Sequence, residues 1–241
     1  MDKLKRARHQ LIWQVLEQFN TEFLVENNIL FGGGTRIALE LNEFRESTDI
    51  DFFCAGAASY RQVRLQAEAI SLGQVLQPDH SLVFPRKIRA DRDGVRTYIQ
   101  LKGSDEPIKL EFIRFDICEI SADTKPHRFP VPIVDRSTCY LTKLLANADR
   151  YAESNKKDIF DLCMMKKEWG CIPKKVWQEA DAAYGMQTVV KGLEKALAGL
   201  ALNTEEAISR AVKVLKMQED VATELVEVVA KELLQEVQLK T

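Results

Sequence analysis

The chain has 241 residues, of which 46% are hydrophobic and 29% charged, and its formal net charge is -2 at pH 7. That length holds one large domain or two modest ones with a real core. The near-neutral balance excludes the global basic excess of an obvious nucleic-acid binder, so any polyanion must be met by a local patch.

No apolar run approaches the length of a bilayer span, and residues 1–30 lack the apolar core of a signal peptide, so a cytoplasmic protein is expected. The five cysteines (Cys54, Cys118, Cys139, Cys163, Cys171) lie in apolar segments without CxxC spacing, which predicts buried, reduced thiols. The histidines His9, His80 and His127 are too scattered for a zinc site.

Leu4, Leu11, Ile12, Val15, Leu16, Phe19 and Phe23 recur at helical spacing and predict one amphipathic helix from residue 2 to about 26. Asn27-Asn28 stops it, and Ile29-Leu30-Phe31 predicts a short buried strand running into Gly32-Gly33-Gly34. Thr35 is placed to cap a helix over roughly 36–43, followed by a strand around 50–54 and a helix over about 59–69.

Residues 88–101 predict a hairpin with Asp91-Arg92-Asp93-Gly94 as its turn and Val95, Tyr98 and Leu101 on the returning strand. In the next strand, 108–115, Ile108, Leu110 and Phe112 share one face, and Lys109, Glu111 and Ile113 the other. A proline-containing passage from Pro126 to Pro132 changes the texture, and from Asp135 nearly everything is helical, ending in a stripe of Val212, Leu215, Val221, Leu225, Val228 and Leu233. The expected organisation is an α+β domain over residues 1–130 and an all-helical domain over residues 131–241.

The chemistry concentrates in Phe31-Gly32-Gly33-Gly34-Thr35 and the later Arg45-Glu-Ser-Thr-Asp-Ile-Asp-Phe-Phe53. Glycines entering a helix let backbone N–H groups approach a phosphate, and the helix N-terminus favours negative charge. Asp49 and Asp51 are two apart in a strand and project to one face, while Ile50 and Phe52 point to the other. Such a pair beside a phosphate-holding turn suits a magnesium ion bridging protein and triphosphate. Taken alone, the glycines are a tight turn and the aspartates a strand end; together, in this order within about twenty residues, they are a site. Glu111 is the best third acid, mid-strand beside Lys109, with a surface carboxylate paired to Lys109 or to a residue across the sheet as its structural alternative and Asp116 as the fallback.

These residues resemble the nucleotidyltransferase superfamily related to DNA polymerase β, and within it the AbiEii/AbiGii toxin family of abortive-infection and toxin–antitoxin systems. A second block supports the narrower likeness: Lys143-Leu-Leu-Ala-Asn-Ala-Asp-Arg150, then Lys157-Asp-Ile-Phe-Asp161. The likeness spans residues 30 to about 168, and beyond them it is only helical. Arg36 stands where the family usually carries a small residue, which leaves open whether Gly32-Gly33 or Gly33-Gly34 is the phosphate-binding pair.

The resemblance implies a polymerase-β-like domain with a mixed sheet flanked by helices. It implies a two-metal magnesium site on Asp49, Asp51 and Glu111, with Glu111 as second-metal ligand or as base for the attacking hydroxyl. Gly33, Gly34 and Thr35 would hold the β and γ phosphates. Arg45 would contact phosphate or fix the loop, and Ser47 would support the turn. Lys143 and Arg150, seven residues apart on one helix, would reach phosphates; a solvated basic face is the alternative. Asp158 and Asp161, neighbours on a helix surface, would position an acceptor or brace the lysine, unless Asp158 only starts its helix.

The implied activity is transfer of a nucleoside monophosphate from an NTP to an acceptor, with the 3′ end of tRNA preferred, as a growth-inhibiting toxin restrained by a cognate antitoxin. Lys143, Arg150, Lys156, Lys157, Lys166 and Lys167 would supply the basic surface for RNA. The other readings are an aminoglycoside-like or protein acceptor, and a nucleotide-binding module without turnover. Trp13, Trp169 and Trp177 are expected in the core or at an interface rather than as base-stacking platforms.

Overall fold

The computed structural model describes residues 4–152 and 157–239. Contacts divide the chain into two compact units, residues 1–36 with 47–135 and residues 37–46 with 136–241. The expected single cut near residue 130 thus falls a few residues early, and it misses the short segment 37–46 that groups with the C-terminal helices.

The first unit opens with α1 (Ala7–Leu16) and α2 (Thr21–Glu26), not one continuous helix. Asn20 breaks the run: its side chain accepts from the Phe23 N–H and caps α2. Phe19 still reaches the core, where its ring lies 4.8 Å from that of Phe52. After Asn28 in the left-handed region come β1 (Ile29–Gly32), α3 (Gly33–Glu40), β2 (Asp49–Ala55) and α4 (Gly56–Gln66). The strands β3 (Leu82–Val83), β4 (Arg89–Ala90), β5 (Gly94–Leu101) and β6 (Ile108–Phe115) complete a six-stranded sheet. The sequence pattern did not announce β3.

The order is β1-β2-β6-β5-β3, with β4 also on β5. β2 and β6 run parallel, while β1·β2, β5·β6, β4·β5 and β3·β5 are antiparallel, which makes the sheet mixed. Parallel neighbours need a crossover, and the chain between β2 and β6 supplies it with α4 and the β4–β5 hairpin. On one face Ile50, Phe52, Leu110, Phe112, Val95 and Ile99 are fully buried, and the rings of Phe52 and Phe112 stack at 5.1 Å. The opposite face is polar along the first half of β2. It closes only at Phe53, whose ring meets Phe115 edge-on at 5.5 Å.

The second unit is helical, with α5 (Arg136–Arg150), α6 (Lys157–Trp169), α7 (Lys174–Tyr184), α8 (Met186–Leu202) and α9 (Thr204–Leu215) followed by α10 (Glu219–Glu224) and α11 (Ala230–Gln238). A π-helical turn over Leu225–Val229 joins the last two. The predicted stripe over 204–238 is interrupted at Lys216, which adopts the left-handed conformation and ends α9. α5 packs on α6, α7 and α8, and a Cβ at Gly192 of α8 would stand 3.0 Å from the Ala148 Cα, so glycine sets how closely α5 and α8 approach. Trp177 is buried, and Trp169 lies edge-on to Tyr140 at 5.9 Å. Cys54, Cys139 and Cys163 are buried free thiols, but Cys118 is half-buried and Cys171 exposed, which corrects the expectation for those two.

Phe52 is the ring on which Phe19, Phe31 and Phe112 converge. Truncation by Phe52→Ala should cost about 3–5 kcal/mol, read as a lowered urea midpoint for the α+β unit with an unchanged slope.

Candidate active site

The site in the α+β unit is built by strand register. Across the sheet, Gly32 of β1 stands opposite Asp51 of β2, Asp51 beside Glu111 of β6, and Glu111 opposite Arg96 of β5. In the adjacent row, Asp49 pairs with Lys109 and Lys109 with Tyr98. Because paired residues share a face, Asp49, Asp51, Lys109, Glu111, Arg96 and Tyr98 all project from the side opposite the phenylalanine core.

Glu111 accepts from Arg96 Nε at 3.0 Å and from Lys109 Nζ, and Arg96 Nη1 donates onward to Asp91 at 2.8 Å. Burial pulls the Lys109 ammonium pKa down, but the hydrogen bond and charge of Glu111 and the charges of Asp49 and Asp51 outweigh it, leaving the pKa above the ordinary lysine value. Lys109 therefore marks where three carboxylates favour positive charge. Among the described residues no three acids, histidines or cysteines are already gathered as a metal cage. What fits a divalent cation is the Asp49–Asp51 pair, with Glu111 in register beside it. Asp116, the fallback, is engaged by Arg114 beyond the strand's end.

Gly33 has φ +67°, and a Cβ there would lie 2.2 Å from Asp51 Oδ2. Only glycine can turn the chain there and leave room for the carboxylate. Gly32 is required for a different reason, since its Cβ would strike the Phe53 ring at 2.3 Å. Gly34 lies in the first turn of α3, where backbone N–H groups lack intrahelical acceptors.

Thr35 is not a cap, because the helix already starts at Gly33. Its buried hydroxyl donates to the Asp49 carbonyl and shares a 2.8 Å hydrogen bond with the Ser47 hydroxyl, so its side chain holds β2 in place. Ser47 N–H in turn donates to Nε2 of buried His9 at 3.0 Å. Arg8 Nη2 donates to the carbonyls of Thr48 (3.0 Å) and Pro107 (2.9 Å), the residues just before β2 and β6. Sequence reasoning missed Arg8, His9 and Arg96. None lies near the motif in sequence, and only the β5–β6 register brings Arg96 to Glu111. Arg36, the departure from the family pattern, is fully buried with its guanidinium 4.0 Å from Asp123.

The remaining candidates meet in the helical unit. Arg45 grips Asp161 through Nε (2.6 Å) and Nη2 (2.9 Å). Lys143 Nζ lies 2.6 Å from Asp161 and 2.8 Å from Asp158, and Arg150 holds Asp158 through Nε at 2.6 Å and Nη2 at 3.0 Å. The result is a chain of alternating charge, Arg45–Asp161–Lys143–Asp158–Arg150, buried except at Arg150, whose side chain is 38% exposed.

Asp158 and Asp161 are thus neighbours on α6 whose shared side is buried, and both hold Lys143. Lys143 is enclosed between them rather than lying on a solvated face, and Arg45, besides binding Asp161, donates through Nη1 to the Glu46 carbonyl at 2.9 Å and so holds the loop before Ser47. The basic surface expected along this motif is also reduced: Lys143 is buried, Lys166 pairs with Glu236 and Lys167 with Glu224, and Lys156 lies outside the described residues.

The comparisons agree with this architecture. A family model described as the nucleotidyl transferase AbiEii toxin of a type IV toxin–antitoxin system matches residues 14–237. The chain belongs to the AbiEii nucleotidyltransferase family. No protein of curated function matches its sequence.

Two solved structures resemble it. One is described as a "putative nucleotidyltransferase from H. pylori", with TM-score 0.55 and 14% identity over 96% of this chain and 95% of that one. The other is JHP933 from Helicobacter pylori, with TM-score 0.56 and 14% identity over 98% and 96% of the two chains. At that identity the likeness concerns the fold. For this AbiEii protein, membership means nucleotidyl transfer from an NTP with a divalent metal, and a cognate antitoxin. No helix among the described residues is long and apolar enough to cross a membrane.

Asp161→Ala should destabilise the helical unit by about 3–5 kcal/mol, since it takes the carboxylate from buried Arg45 and leaves Lys143 with Asp158 alone. Arg150→Ala, at the exposed end, should cost no more than about 1 kcal/mol; urea titration followed by circular dichroism separates the two.

The same network carries a pH dependence. Burial raises the Asp158 pKa, but Lys143 and Arg150 outweigh it and hold the carboxyl well below the ordinary range. A lowered folded pKa stabilises fully above the unfolded value of about 4 and is lost as pH falls below it. Asp158→Asn should therefore be less stable than wild type at pH 7, by a gap in urea midpoint that narrows as pH drops from about 4 to 2.

Proposed function

We propose that this AbiEii enzyme is magnesium-dependent and moves a nucleoside monophosphate from an NTP to the 3′ end of an RNA acceptor, with tRNA as the preferred substrate. This transfer would be the growth-inhibiting activity that the antitoxin restrains. The observation that carries the reading is the polar row on the open sheet face, where Asp49 and Asp51 project together with Glu111 in register and Gly33 against Asp51.

Asp49 and Asp51 would hold the magnesium ion, and a second ion would require Glu111. Bound there, magnesium supplies the positive charge that screens the triphosphate and favours departure of pyrophosphate. The backbone N–H groups of Gly33, Gly34 and Thr35, at the start of α3, would meet the β and γ phosphates. Thr35 and Ser47 keep β2 at a fixed height relative to that turn, so the carboxylates and the phosphate cradle stay in register.

Glu111 is the group suited to accept the proton of the attacking hydroxyl. Its oxygens are held by Arg96 and Lys109, so either role, base or ligand, requires Lys109 to release its contact. In the helical unit, the buried ion chain through Lys143, Asp158 and Asp161 supports a bracing role for those three, and Arg150 is the member open to a phosphate.

The test is incubation with each α-labelled NTP, magnesium and total RNA. Label should enter a tRNA-sized band with wild type and fall at least about 100-fold with Asp51→Ala, and chelation should remove it. Label in protein or in a small molecule would reassign the acceptor, and no label anywhere would overturn the catalytic reading.

A further inference from the structure

We propose that the acceptor's single-stranded 3′ end is gripped by a cationic and aromatic strip on the same sheet face, formed by Arg86, Lys87, Arg89 and Tyr98. The proposal rests on an RNA acceptor, but it is carried by the surface itself. Arg89 of β4 stands opposite Arg96 of β5, so it continues the row Asp51–Glu111–Arg96 outward by one more strand. Three strand spacings put the Arg89 backbone about 14 Å from that of Asp51.

The Arg86 guanidinium lies over the Tyr98 ring at 4.5 Å, and Tyr98 belongs to the same face, in the row of Lys109 and Asp49. Arg86, Lys87 and Arg89 are exposed. Among the described residues none of the three has a carboxylate partner, whereas Arg96, Arg92 and Arg114 all do. Cations held apart from acids on an exposed strip are placed for an external polyanion, and a half-buried ring with a guanidinium on it gives a base a surface to stack on.

The strip also resolves a charge problem. With a net charge of -2, RNA binding needs a local patch, and the lysines of the helical motif are largely buried or paired. Residues 86–89 supply that patch beside the carboxylates, where a chain end crossing the strands would bring its terminal ribose to Asp51 and lay its upstream phosphates on Arg89, Arg86 and Lys87. A small acceptor such as an aminoglycoside, itself cationic, would be repelled there.

The experiment measures equilibrium binding of a fluorescent hairpin RNA with a single-stranded 3′ tail, over a range of salt. It compares wild type with the triple variant Arg86→Gln, Lys87→Gln, Arg89→Gln and with Tyr98→Ala. Among the described residues none of the three cations forms an ion pair, and only the exposed Arg86–Tyr98 stack is lost, so a nearly unchanged Tm is expected for the triple variant and verifies its fold. The triple variant should bind at least 10-fold more weakly, with the slope of log K against log salt reduced by about 2. Tyr98→Ala should weaken binding about 10-fold with the slope kept. A blunt duplex of equal length should bind wild type more weakly than the tailed hairpin and be unaffected by Tyr98→Ala, because its bases are not free to stack.

Wild-type affinity and slope in the triple variant, or no binding of tailed RNA by wild type, would overturn the proposal. Strip-dependent binding without any NMP transfer to RNA would leave the strip standing and refute the proposed activity. Transfer to RNA with an unchanged KM in the triple variant would refute the strip alone.

Discussion

Parallel pairing of β2 with β6 is the constraint on which the α+β unit depends. It aligns Asp49 with Lys109 and Asp51 with Glu111 while placing Phe52 beside Phe112. Both outcomes come from one register, because side chains alternate with a period of two. A slip by a single residue would bring the acids into the aromatic core and the rings to the open face. The energy that fixes the register lies in the stacked rings and their neighbours Phe19 and Phe31, so the apolar side of the sheet enforces the geometry of the polar side.

Around that register, several distant residues secure the height of β2. Arg8 ties the entries of β2 and β6 together, His9 holds Ser47, and Thr35 joins the glycine turn to the Asp49 carbonyl. Each bond is modest alone, of the order of 1 kcal/mol. Their joint effect is positional: the carboxylates and the start of α3 are held relative to one another through backbone atoms. Gly33 completes the arrangement by leaving the space that Asp51 occupies.

The helical unit shows different physics. Five charged side chains alternate in a mostly buried chain, and each carboxylate is held by more than one cation. Desolvation of so many charges is expensive, and mutual pairing offsets it without making the network a large net source of stability. What the network does is tie α5, α6 and Arg45 of the 37–46 segment together through paired charges. Read from sequence, the same residues admit a phosphate-reaching or solvated basic face and a pair of aspartates that positions an acceptor or braces the lysine, because helical spacing shows which residues are neighbours and not which of them are enclosed.

The sequence by itself determined the strand from 108 to 115 and its two faces, the hairpin turn at Asp91–Gly94, the glycine run before β2, and the shared side of Asp49 and Asp51. These are local: they follow from a period of two, turn chemistry and the missing Cβ of glycine. Tertiary structure alone decided that β2 lies beside β6 and not elsewhere, that Arg96 and Lys109 both reach Glu111, and that Arg45 meets Asp161 across 116 residues of chain. It also decided that residues 37–46 join the C-terminal helices. Those outcomes depend on which distant surfaces desolvate each other, a property of packing that no window of sequence contains.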